Sequence, residues 1–234
     1  MDDSELRPID PFGLLDVESA RIDNHLARLH AGDWTRRSRC AGWSTRDVLA
    51  HLVGVEEYNR ACLDDDLPEA MAKGAEAGAT DVDGFNEWFI GACADRTTAD
   101  LLTEWREANA DFRRRMHERG RDGTMSTSIG TYPVGWQAFH LASELATHAD
   151  DIGAWVARDE RGFRTNWRAR FSRFAIVEAE RPVEIEVEDG RNRVRAAGQE
   201  ALLTDEELVE AAMGRLPADH RIPEALREAL DLSP

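Results

Sequence analysis

The chain has 234 residues, 42% of them hydrophobic, enough to bury a sizeable core as one large domain or as a main domain with a small appendage. Its 46 acidic residues against 29 basic ones leave a net charge of −17, a field that repels polyphosphate and counts against a nucleic-acid partner. Apolar stretches fall far short of the ~20 residues a bilayer span needs, and the opening MDDSELRPID carries neither a basic nor an apolar leader region; the expected compartment is the cytoplasm, with no membrane partner.

Cys40, Cys62 and Cys93 are widely spaced and form no C-x-x-C pair, so they read as buried thiols rather than a disulfide framework or a thiolate zinc site. Lys73 is the only lysine and alanine is abundant, a bias typical of a G+C-rich bacterial genome.

In chain order, Leu14, Leu15, Val17, Ile22, Leu26 and Leu29 keep a 3.6-residue period and predict a first helix over residues 12–30. GDWTRRSRCAGWST follows as a loop. Ser44 and Asp47 have capping-box spacing and open a helix at Thr45 that runs to about Leu63. Residues 64–80 are acidic and Ala/Gly-rich with no amphipathic stripe, and are expected to form a mobile connection or lid. A short helix is predicted from Asp81 to about Ala94, with Phe85, Trp88, Phe89 and Cys93 on its buried side, and a longer one from Thr97–Thr98 to just before Gly120. GRDGTMSTSIGTYPVG reads as a loop, and Val134–Val156 as a further helix. Beyond it, Val183, Ile185 and Val187 alternate with charged residues up to Asp189-Gly190, the pattern of a β-hairpin resuming at Val194. Thr204 with Glu207 caps another helix, and Pro223 opens a last short one. The expected architecture is mainly α: a helical bundle over residues 1–157 and a small α+β appendage over 158–234.

The stretch FHLASELATHADDIG, residues 139–153, holds the strongest chemical signal. His140, Glu144 and His148 are four residues apart, so each step climbs about 6 Å and drifts ~40° around the helix. The neighbouring stripe of Leu141, Leu145, Ile152 and Val156 is apolar, which places the polar stripe near the protein interior. A carboxylate there needs compensation worth several kcal/mol. A divalent ion such as zinc, held by imidazoles and one carboxylate with a fourth position open, supplies it. The third ligand is either His140 or His51, which replaces a core residue on the face made by Val48, Leu52 and Val55. Alternatively, these side chains satisfy one another by hydrogen bonds without an ion. H-E-x-x-H and paired Glu-x-x-His motifs are absent, which argues against a zincin protease and a di-iron bundle. Arg113, Arg114 and Arg115 read either as the mouth of a site or as a solvated face, and Trp43 and Trp136 as core packing.

CAGWSTRDVLAHLVGVEEY, followed some ninety residues later by ELATHADDIG, resembles the DinB-like metal-dependent proteins, in the branch containing mycothiol-dependent maleylpyruvate isomerase. The residues that carry the likeness are Gly42, Trp43, Ser44, His51, Glu144, His148, Asp151 and Ile152, and it spans residues 10–157. It implies a DinB-like up-and-down four-helix bundle that binds zinc or a similar divalent ion through His51, Glu144 and His148. His140 would then hydrogen-bond a ligand or substrate, and Asp150 and Asp151 read either as orienting His148 or as solvated acids near a helix C-terminus. The appendage is similar in size and position to the C-terminal domain of that branch, where an arginine holds the substrate carboxylate; Arg215 and Arg221 are the candidates here. The resemblance also implies a low-molecular-weight thiol as co-substrate, with mycothiol favoured by the G+C-rich composition. In the isomerases the thiolate adds to a cis double bond, rotation follows, and elimination returns the trans isomer; S-transferase relatives stop at conjugation. The substrates are expected to be the thiol and a small, anionic electrophile. The other reading of the same fold is a non-catalytic, metal-stabilised binding module.

Overall fold

The computed structural model describes residues 2–233. It is mainly helical, and the chain divides into two compact units: residues 11–155, and residues 2–10 together with residues 156–233.

The first unit is built on four long helices, α1 (Pro11–Leu26), α2 (Thr45–Asp64), α5 (Thr98–Arg119) and α6 (Val134–Asp151), with two shorter ones, α3 (Leu67–Glu76) and α4 (Val82–Ala92), between α2 and α5. α1 packs on α6 and α5, and α2 packs on α5, so the core collects the apolar stripe of each. Phe12, Leu15, Ile22, Leu49, Leu52, Leu101, Trp105, Met116 and Phe139 are all buried in it. The ends of the helices follow from local chemistry. Ser44 and Asp47 form the reciprocal capping box expected at the start of α2, and Asp65, in the left-handed region at φ 59°, ends it. Thr97 caps α5 by accepting from the Asp100 amide, and Gly120 ends it at φ 72°.

Two stretches depart from the sequence reading. Residues 64–80, expected as a mobile connection or lid, contain α3. Leu67, Ala70, Met71 and Gly74 recur there at helical spacing and are the covered side of α3, a short stripe that small residues made hard to see; at Gly74 an added Cβ would sit 2.0 Å from the Phe85 ring. Residues 120–135, read as a loop, contain an antiparallel hairpin of β1 (Thr124–Thr127) and β2 (Gly130–Pro133). Its register pairs Met125 with Tyr132, both of them buried, and two apolar residues among Gly, Ser and Thr were too few to signal a strand.

The second unit consists of α7 (Arg158–Glu178), a three-stranded antiparallel sheet of β3 (Glu184–Glu188), β4 (Arg191–Ala196) and β5 (Gln199–Leu203) in that order, and α8 (Asp205–Ala212) and α9 (Glu224–Leu230). The turn between β3 and β4 places Asp189 at φ 48° and Gly190 at φ 74°, the two left-handed residues that the Asp-Gly signal requires. Thr204 and Glu207 form the second capping box. Ile176, Val194, Leu203, Leu208, Leu226 and Leu230 make one shared core. The sequence reading missed α7 and β5. Residues 2–10, which that reading grouped with the bundle, belong to this unit: Leu6 is fully buried, and the Arg173 guanidinium bonds the Glu5 carboxylate.

Candidate metal centre

α2 and α6 bring three polar side chains to one point. On α2, His51 follows Val48 and precedes Leu52, both buried, so its ring is directed inward with them. On α6, Glu144 and His148 sit one turn apart. His51 Nε2 lies 2.9 Å and His148 Nε2 3.1 Å from the same oxygen, Oε1 of Glu144. Ligand atoms of all three residues fall within 4.8 Å of one another.

Exposure is uneven: the two imidazoles are about 7% accessible, whereas 38% of the Glu144 side chain reaches solvent. The cluster is thus walled by histidines and open on its carboxylate side. The Trp43 indole, its Nε1–H bonded to Glu87 Oε1 at 2.8 Å, covers both rings, with centroids 5.1 Å from His51 and 6.4 Å from His148.

A second set of groups meets His148 from behind. Its Nδ1 is 3.3 Å from Asp151 Oδ2, and Cys40 donates its thiol to that same oxygen at 3.1 Å. Burial pushes the His148 imidazole down, but the Glu144 charge, followed by Asp151 and Cys40, holds its pKa well above the usual histidine value. For Glu144, burial pushes up, while the His148 charge and the hydrogen bonds from both imidazoles hold the carboxyl well below its ordinary range. Two imidazole nitrogens and one carboxylate oxygen, convergent and partly open, are the donor set that zinc and similar divalent ions accept, so the residues present fit such an ion.

The model of the mycothiol maleylpyruvate isomerase N-terminal domain matches residues 15–153, a stretch that contains all three converging residues. The chain belongs to this family. The mycothiol maleylpyruvate isomerase domain therefore coincides with the helical unit. Two solved structures share the fold over a longer span. One is a crystal structure of the mycothiol-dependent maleylpyruvate isomerase, with a TM-score of 0.64, 16% identity, and coverage of 92% of this chain and 94% of that chain. The other is a variant of that enzyme with a histidine replaced by alanine, with a TM-score of 0.63 at the same identity and coverage. No curated protein matches the chain.

The remaining candidates lie elsewhere. His140 sits one turn before Glu144, where its Nε2 is 3.1 Å from the Tyr132 hydroxyl, outside the converging set. In the second unit, Arg215 donates to the Met213 carbonyl at 3.1 Å. Arg221 lines an open cavity of about 520 Å³ with Leu202, Glu207, His220 and Ile222. Of the arginine run, Arg113 pairs with Asp16, Arg114 with Asp111 and Glu118, and Arg115 with Asp64, which is the solvated-face reading. Trp43 and Trp136, expected as core packing, are only half-buried. Sequence reasoning took Cys40 for a buried thiol, which it is, and gave it no place at the site. Its place two residues before Gly42, in the segment that carries the family likeness, was the available signal.

Proposed function

We propose that the chain is a thiol-using metalloenzyme in which His51, Glu144 and His148 hold one divalent ion, zinc by the nature of the donors. The observation that carries this reading is the convergence of both Nε2 atoms on one Glu144 oxygen whose side chain remains accessible. When bound, such an ion supplies the Lewis acidity that keeps a thiol as its thiolate at neutral pH. The protein's own groups do the rest. The two buried imidazoles fix the rear of the site, and the Trp43 ring keeps water off them. The accessible side at Glu144 leaves one direction of approach for the sulfur and its electrophile.

Membership of the mycothiol maleylpyruvate isomerase family supports mycothiol as the thiol, used for addition, transfer or cis–trans isomerisation of a small anionic electrophile. Arg221, which makes no hydrogen bond or ion pair among the described residues, is the freer of the two candidate arginines to bind a carboxylate, since Arg215 already bonds the Met213 carbonyl. A cytoplasmic location fits that chemistry, and no helix among the described residues is long and apolar enough to cross a membrane.

The test is a thiol titration of cobalt-substituted protein. New sulfur-to-cobalt absorption as mycothiol is added, followed by turnover with maleylpyruvate or a related electrophile, is the expected result. A cobalt spectrum indifferent to thiol would instead mark a metal-stabilised binding module.

A further inference from the structure

His148 has two ring nitrogens, and only one of them faces His51 and Glu144. The other, Nδ1, points to the Cys40–Asp151 pair, and Asp151 has a side chain with no exposed surface at all. We infer that Cys40 and Asp151 are positioning residues that hold the His148 ring with a proton fixed on Nδ1, so that Nε2, on the side of Glu144 and His51, is the nitrogen that releases its proton to take an ion. This inference rests on the metal-centre reading above.

Three features of the segment around Cys40 carry it. The Arg39 amide donates to the Asp151 carbonyl at 3.0 Å, so the loop is pinned to the last turn of α6 by backbone as well as by side chain. Ser38 closes the loop on itself: its hydroxyl donates to the Trp43 carbonyl at 3.0 Å and accepts from the Cys40 amide at 3.1 Å. The thiol therefore has a fixed address, 3.1 Å from Asp151 Oδ2 and 3.7 Å from His148 Nδ1. Lastly, the same short loop delivers Trp43 to the faces of both histidines.

An ionised carboxylate only accepts hydrogen bonds, so an Asp151 that receives the Cys40 thiol and faces Nδ1 requires the proton to be on Nδ1. Nε2, which donates to the Glu144 carboxylate when no ion is bound, is then the nitrogen whose lone pair an ion would take, the arrangement by which a carboxylate behind a ligating histidine tunes it. Cys40, His148 and Asp151 also have ligand atoms within 4.8 Å of one another, but all three are buried, and a cation there would take Nδ1 and leave no accessible position. The loop thus acts as a support for the centre.

The experiment measures zinc affinity by chelator competition for the full chain and for Cys40→Ala, Cys40→Ser and Asp151→Asn, together with ¹⁵N spectra of the histidine rings in the zinc-loaded state. The expected result is one ion per wild-type chain, a protonated Nδ1 on His148, and affinity weakened roughly 10–100-fold by Asp151→Asn. Cys40→Ala weakens it about two- to tenfold, and Cys40→Ser, whose hydroxyl still donates to Asp151, restores most of that loss. A merely structural role would move the melting temperature of the zinc-free variants but neither the ring spectra nor the Ser rescue. Wild-type zinc binding with unchanged affinity in every variant, or with His148 protonated on Nε2, overturns the inference and leaves the metal centre standing. Wild-type protein that takes up no zinc overturns both. If Asp151→Asn does not fold, the Ala-to-Ser contrast at Cys40 decides.

Discussion

The two units differ in where they keep their carboxylates. In the helical unit, Glu18 and Glu56 are buried and answered inside the core, Glu18 by Arg21 and Glu56 by the amides of Asn109 at 2.7 Å and Asn59 at 3.3 Å, and the partly exposed Glu144 is answered by two imidazoles. In the second unit the buried charges are arginines, Arg164 and Arg168, and the paired carboxylates of the sheet are exposed, where Arg193 bridges Glu188 and Glu200, and Arg195 bridges Glu186 and Glu200. Buried groups that lose a partner leave a charge in low dielectric, while exposed ones return to solvent. Function is therefore to be sought among the buried set.

The sharpest way to break the contrast is to remove a converging ligand. His51→Ala or His148→Ala is expected to weaken zinc binding by more than about 100-fold, since binding energies of roughly 10–16 kcal/mol are spread over a small set of ligands. Isothermal titration checks this, and binding that survives either change would remove the centre from these residues.

Glu56 gives the next largest effect, through pH. Burial, offset only in part by the Asn109 and Asn59 amides and by Arg113, raises its pKa from 4.5 to about 7. The folded state holds this proton where the unfolded chain has lost it, so stability falls as pH rises from about 4.5 to about 7 and is level above that. Glu56→Gln keeps an acceptor for Asn109 and offers a donor to Asn59 Oδ1, which has no partner among the described residues. It is expected to be close to neutral at pH 5 and stabilising by about 2–3 kcal/mol at pH 8. Urea unfolding at the two pH values measures the difference, and an equal effect at both would refute the buried-acid assignment.

A packing change ranks third. Gly74→Ala places a methyl against the Phe85 ring and is expected to destabilise by about 1–3 kcal/mol, less the roughly 1 kcal/mol an alanine gains in a helix. Thermal unfolding reads the net, and a raised melting temperature would mean that α3 and α4 pack otherwise. Smallest is Arg193→Ala on the sheet: a slight loss of thermal stability at low salt that vanishes at high salt. A large, salt-independent loss would contradict the division between the two units.

Legibility in the sequence follows the same physical line. The α6 stripe was readable because polar side chains at four-residue spacing interrupt an apolar period, and the helix starts at Ser44, Thr97 and Thr204 because capping is local chemistry. α3 and the β1–β2 hairpin were missed, the helix because its short covered stripe of Leu67, Ala70, Met71 and Gly74 is half made of small residues, the hairpin because Met125 and Tyr132 are its only buried pair. α7 was hidden by its arginines, two of which, Arg164 and Arg168, are buried beside Trp167 and Phe171 and blur the apolar period. At the site, His51, Glu144 and His148 were named in advance. Cys40 was not, because no periodicity links a loop thiol to a helix a hundred residues later.

The most direct measurement is anomalous diffraction from zinc-loaded crystals of the full chain. A single zinc peak at about 2.0–2.2 Å from His51 Nε2, His148 Nε2 and a Glu144 oxygen is the expected result. A peak bonded instead to Cys40 sulfur and Asp151, or no peak between α2 and α6, would contradict it.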